Sequence, residues 1–115
     1  MITDISRDEL KQKLDHPKKF VLLDVDFPQS YRLSHLPGAL NLPLQLIHAQ
    51  ALEIMPNKDQ ETIVYSSGGE GDASEEAANS LSEMGYSRVR RYVGGKRDWS
   101  EAGLPLASDE NKRAA

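Results

Sequence analysis

The sequence contains no cysteine, and that single absence removes disulfides, thiolate metal sites and every thiol-based mechanism. Long apolar runs are also missing: no window approaches the roughly 18 residues a bilayer-spanning helix needs, so no membrane association is expected. Met1-Ile2-Thr3-Asp4-Ile5 shows no basic stretch followed by an apolar one, which predicts no leader and a cytoplasmic protein. Basic blocks are scarce too. The formal net charge is −4, and apart from Arg90-Arg91 and Lys96-Arg97 the cations are dispersed, which argues against a nucleic-acid surface. No internal repeat or low-complexity segment interrupts the 115 residues.

What is present suits one globular domain: 38% hydrophobic and 28% charged residues, enough to bury a core without the composition of a disordered segment. The domain is expected over residues 1–107, with 108–115 a polar, frayed tail. Ser6-Arg7-Asp8-Glu9 fits a capping box, in which the Ser6 hydroxyl and the Glu9 carboxylate both satisfy free helix N-H groups. The helix it starts should run to about Asp15, where His16-Pro17 stops it. Phe20-Val21-Leu22-Leu23 reads as a buried strand ending near Val25. A short helix after Pro28, a break at Leu36-Pro37-Gly38 and an extended piece from Ala39 to Leu42 follow. Leu44, Ile47, Ala51 and Ile54 recur at helical spacing, with Pro43 placed in the first turn.

Glu61 to Tyr65 is β-branched and aromatic, so it reads as a strand, and it runs directly into the glycine-rich Ser66-Ser67-Gly68-Gly69-Glu70-Gly71-Asp72. Ala73, Ala77, Ala78, Leu81 and Met84 then share a helical face, closed by Gly85. Arg88 to Val93 predicts a further strand, Gly94-Gly95 a turn, and Trp99 a short helix ending at Gly103-Leu104-Pro105. Strands alternating with helices predict an α/β fold with a mostly parallel central sheet and helices on both faces. Ligands of such sheets bind beyond the carboxyl ends of the strands, and the loop after Tyr65 lies at such an end.

Four segments in order resemble the rhodanese-like domain family, together covering nearly all of the chain. They are Phe20 to Val25 with Asp24; Tyr31 with His35-Leu36-Pro37-Gly38-Ala39; Ile63-Val64-Tyr65 with its loop, Ala73-Ser74 and Gly85-Tyr86; and Tyr92-Val93-Gly94-Gly95 with Trp99 and Ala102-Gly103-Leu104-Pro105. The resemblance implies a three-layer rhodanese-like fold. It also implies that active members carry a cysteine where this chain has Ser66, its sulfur wrapped by backbone N-H groups of the loop. Some longer-loop relatives carry a second cysteine where this chain has Gly71. A thiolate takes the outer sulfur of a donor as a persulfide and passes it on, whereas a serine hydroxyl is far less acidic and holds no transferable sulfur. The expected function is a catalytically inactive binding or regulatory module, the alternative a thiosulfate or persulfide sulfurtransferase whose nucleophile has been replaced by Ser66.

Ser67, Gly68, Gly69, Glu70, Gly71 and Asp72 would form an anion cradle at a helix N-terminus, which Glu70 and Asp72 oppose unless they turn outward. The partners to expect are therefore a small anion at the loop or an unidentified protein. A hydrolytic Ser66 would need a base, for which His35 is the candidate, but the Gly-x-Ser-x-Gly setting is absent and an inert small residue is favoured. His16, His35 and His48 have no ligand spacing, so neither metal nor cofactor is expected. The resemblance implies a structural role for Asp24, while Tyr92 and Trp99 read as packing, and Arg88, Arg90 and Arg91 as the solvated face of a strand rather than an anion-steering cluster. A phosphatase of the related cell-division-control kind needs a cysteine and an arginine in the loop, and this loop has neither.

Overall fold

Neighbouring residues of a strand point to opposite sides of a sheet, and the central strands here divide their apolar residues accordingly. Leu22, Ile63 and Tyr65 face one cluster with Ile5, Leu10, Tyr92 and Trp99; Leu23, Val25 and Val64 face another with Ile47, Ala51, Ala77, Ala78 and Leu81. Two cores on one sheet require helices on both sides. The structure, a computed structural model describing residues 2–16, 20–69 and 71–109, has this three-layer α/β arrangement.

In chain order the elements are β1 (Ile2–Asp4), α1 (Arg7–Asp15), β2 (Phe20–Asp24), α2 (Pro28–Leu33), β3 (Leu40–Asn41), a 3-10 turn (Leu44–Leu46), α3 (Ile47–Ile54), β4 (Glu61–Tyr65), α4 (Ala73–Glu83), β5 (Val89–Arg91) and α5 (Gly95–Glu101). The sheet order is β1-β5-β4-β2-β3, and every paired strand is parallel. Helices α3 and α4 cover one face, α1 and α5 the other. From β2 the chain moves outward to β3, and from β4 it moves the opposite way to β5. The loops leaving β2 and β4 therefore diverge, which is where sheets of this kind place their ligand crevice, between the carboxyl ends of the two strands.

Several local expectations change. β1 was not legible: three residues are too few to show a period, and the strand exists because β5 offers its edge, with Ile2 opposite Val89. The capping box is half formed. Ser6 Oγ accepts from Glu9 N at 3.1 Å, but the Glu9 carboxylate is drawn away by Arg90, which donates to it at 2.6 and 3.0 Å. The helix expected from Leu44 to Ile54 begins as a 3-10 turn, with Pro43 outside it accepting from Leu46 N at 2.8 Å. Ile54 is exposed, and Met55 after the helix is buried in its place. Leu106 packs on the α1/α5 core, and Ser108 Oγ and Asp109 N donate to Arg32 O at 3.2 and 3.0 Å. The rest of the expected tail, 110–115, lies outside the described residues.

Candidate functional site at the carboxyl edge of the sheet

The floor of the crevice is Asp24, the last residue of β2 and wholly buried. Its Oδ1 accepts from Asp26 N at 3.0 Å and its Oδ2 from the Tyr65 hydroxyl at 2.8 Å, while that hydroxyl accepts from Leu36 N at 2.9 Å. Asp24 thus joins β2, β4 and the segment after α2, which is the structural role the sequence suggests. Burial pushes its carboxyl above the ordinary range, against the pull of the Asp26 N-H, the Lys96 ammonium and the Tyr65 hydroxyl. The Tyr65 hydroxyl is pushed up as well, by burial and by the Asp24 charge.

Lys96, from the first turn of α5, enters the same space and is almost completely buried. Its Nζ lies 3.3 Å from Asp24 Oδ2 and 3.2 Å from Asp26 Oδ2, and it donates to Ser30 O at 3.3 Å. One ammonium is thereby shared by two carboxylates, an arrangement stabilised because each of the four carboxylate oxygens also accepts from a donor other than Lys96.

Ser66 follows β4 directly and is 2% exposed. Its hydroxyl donates a short hydrogen bond to Asp26 Oδ1, and the Ser67 hydroxyl reaches Asp26 Oδ2 at 3.4 Å. The backbone of the loop is tied to the start of α5, with Lys96 N donating to Ser66 O at 3.1 Å and Arg97 N to Ser67 O at 2.9 Å. Such contact needs glycine on both sides. Gly68 has φ +129° and a Cβ there would stand 2.3 Å from Gly94 O, while Gly95 has φ +61° and its Cβ would stand 2.5 Å from Ser66 O.

Asp72 caps α4 and turns into the loop. Its Oδ1 accepts from Ser74 N at 3.0 Å and Ser74 Oγ at 2.5 Å, and its Oδ2 accepts from Gly68 N at 2.9 Å. Arg91 locks this arrangement from β5: Nε donates to Ser74 Oγ at 2.8 Å, and a terminal nitrogen donates to Asp72 Oδ1 and Gly69 O, each at 3.2 Å. Arg91 is therefore no part of a solvated face. It is buried because the N-terminus of α4 lies across β5, whereas Arg88 is exposed and Arg90 pairs with Glu9 and Glu61. Gly71 is exposed with φ +78°, and Glu70 lies outside the described residues.

His35 is buried away from this chemistry. Its Nδ1 lies 2.8 Å from Tyr31 O, its ring stacks on Tyr31 with centroids 3.9 Å apart, and its backbone bridges to Ala107. The partner of the Ser66 hydroxyl is Asp26 instead, a carboxylate already paired with Lys96. Tyr92 and Trp99 pack edge to face in the core. Among the described residues no three acidic or histidine side chains converge as a metal site. Sequence reading missed Asp26, Lys96 and Ser74. The switch of strand order between β2 and β4 would have pointed to the residues just past β2, but that order is not written in the sequence.

The comparisons with known proteins agree with this architecture. The family model described as the Rhodanese-like domain matches residues 6–102. A sulfurtransferase of Allochromatium vinosum is 32% identical over 110 residues, covering 96% of this chain and 99% of that protein. The putative sulfur carrier protein YrkF of Bacillus subtilis is 33% identical over 99 residues, 86% of this chain but 51% of the relative, so the chain spans about half of that protein. The structure superposes on a thiosulfate sulfurtransferase from Pseudomonas aeruginosa with a TM-score of 0.83 and 30% identity, covering 95% of this chain and 20% of that one. With the matched model spanning all but the ends, and with the sheet, the crevice and the glycine-rich loop placed as described, the chain belongs to the rhodanese-like domain family.

Proposed function

We propose that this chain is a cytoplasmic rhodanese-like module that does not transfer sulfur and serves a binding or regulatory role. One observation carries the reading: at the position the family resemblance gives to the sulfur carrier stands the hydroxyl of Ser66, donated to the Asp26 carboxylate. In sulfur transfer a thiolate attacks the outer sulfur of thiosulfate, a new S–S bond forms, and sulfite leaves with the electron pair of the broken one. An acceptor such as cyanide then takes that sulfur and restores the thiolate. Ser66 starts from an alcohol instead of a thiol, and the carboxylate beside it opposes any further negative charge.

The second reading, a sulfurtransferase whose nucleophile has been replaced by Ser66, is favoured by the Allochromatium sulfurtransferase, matched along nearly its full length. Thiosulfate-to-cyanide transfer by the chain and by Ser66→Cys, with intact mass after thiosulfate exposure, separates the two. Absence of turnover and of added sulfur in both proteins supports the module. Turnover by Ser66→Cys alone supports the replaced enzyme, and turnover by the unaltered chain overturns both.

A further inference from the structure

The side chain that fills the crevice does not come from the glycine-rich loop. Asp26 reaches in from the segment after β2, and three donors converge on its carboxylate: Ser66 Oγ, Ser67 Oγ at 3.4 Å and Lys96 Nζ at 3.2 Å. The Asp26 side chain is 12% exposed, so it sits at the mouth of the site rather than in the core. Its position is that of a bound oxyanion: a delocalised negative group held by two hydroxyls and a nearly buried ammonium. The second internal carboxylate, Asp72, takes the N-H groups of Gly68 and of Ser74 in the first turn of α4 in the same manner. Several of the donors around the loop are thus already engaged by the protein's own acids.

We propose that Asp26 is an intramolecular plug that determines the ligand charge this crevice accepts, excluding small oxyanions from a subsite formed by Lys96, Ser66 and Ser67. The plug deepens the reading of the chain as a module without sulfur transfer, since it keeps anionic sulfur donors out of the crevice. Removing the carboxylate takes away a like charge at hydrogen-bond distance and leaves Lys96 and the two hydroxyls facing a space the size of the lost group. That space fits formate, whose one charge and two oxygens reproduce the missing carboxylate; sulfate and thiosulfate present the same oxygens with a second charge, which the neighbouring Asp24 resists.

The test is titration of the full chain, of Asp26→Ala and of the near-isosteric Asp26→Asn with sodium formate, sulfate and thiosulfate, against sodium chloride at matched ionic strength. Melting temperature and heat of binding are read together. The unaltered chain is expected to show no saturable response beyond chloride. Asp26→Ala should bind formate saturably, with affinity at least about ten-fold above any residual affinity of the unaltered chain, the scale of one like charge at hydrogen-bond distance even when water screens it fully. Adding Lys96→Met to Asp26→Ala should abolish the response. Saturable oxyanion binding by the unaltered chain overturns the plug even if neither variant folds. So does a folded Asp26→Ala that binds none of the three anions, whereas Asp26→Asn, which keeps the space filled, is expected to stay silent. Failure of the module reading is separate: it is sulfur transfer by the unaltered chain, whatever the anions do.

Discussion

Two ionic networks of similar make-up lie at different depths, and their contrast shows how burial changes what a charge does. One joins Arg90 to Glu9 and Glu61, and Glu61 to Lys13, across β5, α1 and β4. The other joins Lys96 to Asp24 and Asp26, with Arg91 and Asp72 beside it. In the first, the Arg90 and Glu9 side chains are 21% and 45% exposed; in the second, Lys96 and Asp24 are 11% and 0%. Water screens the Arg90–Glu9 pair, so it can be lost at small cost. The inner pairs have no water to fall back on, and each partner exists to neutralise another.

The largest break of this contrast is Lys96→Met. It leaves two adjacent carboxylates without their cation, so a loss of about 3–5 kcal/mol in denaturant unfolding is expected. Arg91→Leu comes next. It strips Asp72, Ser74 and Gly69 of a shared donor, and a loss of about 2–3 kcal/mol is expected, with faster hydrogen exchange concentrated in the loop and the first turn of α4. Arg90→Gln should cost at most about 1 kcal/mol, and the difference should shrink as salt is added. An Arg90→Gln loss equal to that of Lys96→Met would break the comparison.

The smallest effect concerns pH, where the two networks carry opposite signs. Arg90 holds the Glu9 carboxyl below the ordinary range, chiefly through its hydrogen bond. The unfolded chain then binds the extra proton, and the Glu9 contribution, full at neutral pH, is lost as pH falls below about 4. Asp24 is raised, chiefly by burial, so the folded chain holds its proton longer. Its contribution is unfavourable at neutral pH and vanishes on acidification through the raised value to about 4. Unfolding free energy measured between pH 3 and 7 should therefore rise less with pH in Glu9→Gln than in the unaltered chain, and more in Asp24→Asn. The reverse order would show that burial does not govern Asp24.

The outer network also marks the limit of what sequence reading reaches. Ser6 and Glu9 sit at capping-box spacing, and the Ser6 half forms because it needs only three residues of helix. The Glu9 half fails because Arg90, 81 residues away, makes a stronger bond than a neutral N-H. The same distance limit governs Arg91. Its company with Arg88 and Arg90 suggests a solvated residue, yet Arg91 points to the opposite side of β5, that of Val89, where the N-terminus of α4 covers it and makes it the tie of the loop. Most of the glycine-rich loop was legible, because positive-φ glycines between a strand and a helix announce a turn that must hold something. The inward turn of Asp72 was not, since its direction depends on Gly68 and Arg91 together.

The sequence by itself determined the family, the α/β class, the strand and helix that flank the loop, and the absence of any thiol. These follow from periodicity, turn residues and composition, which act over a few residues at a time. Tertiary structure alone decided that β1 exists, that β2 and β4 lie side by side, and that Asp26 and Lys96 therefore meet Ser66. Strand order is set by burying two apolar faces at once, a condition on the whole chain that no local stretch records, and the site lies where that order changes direction.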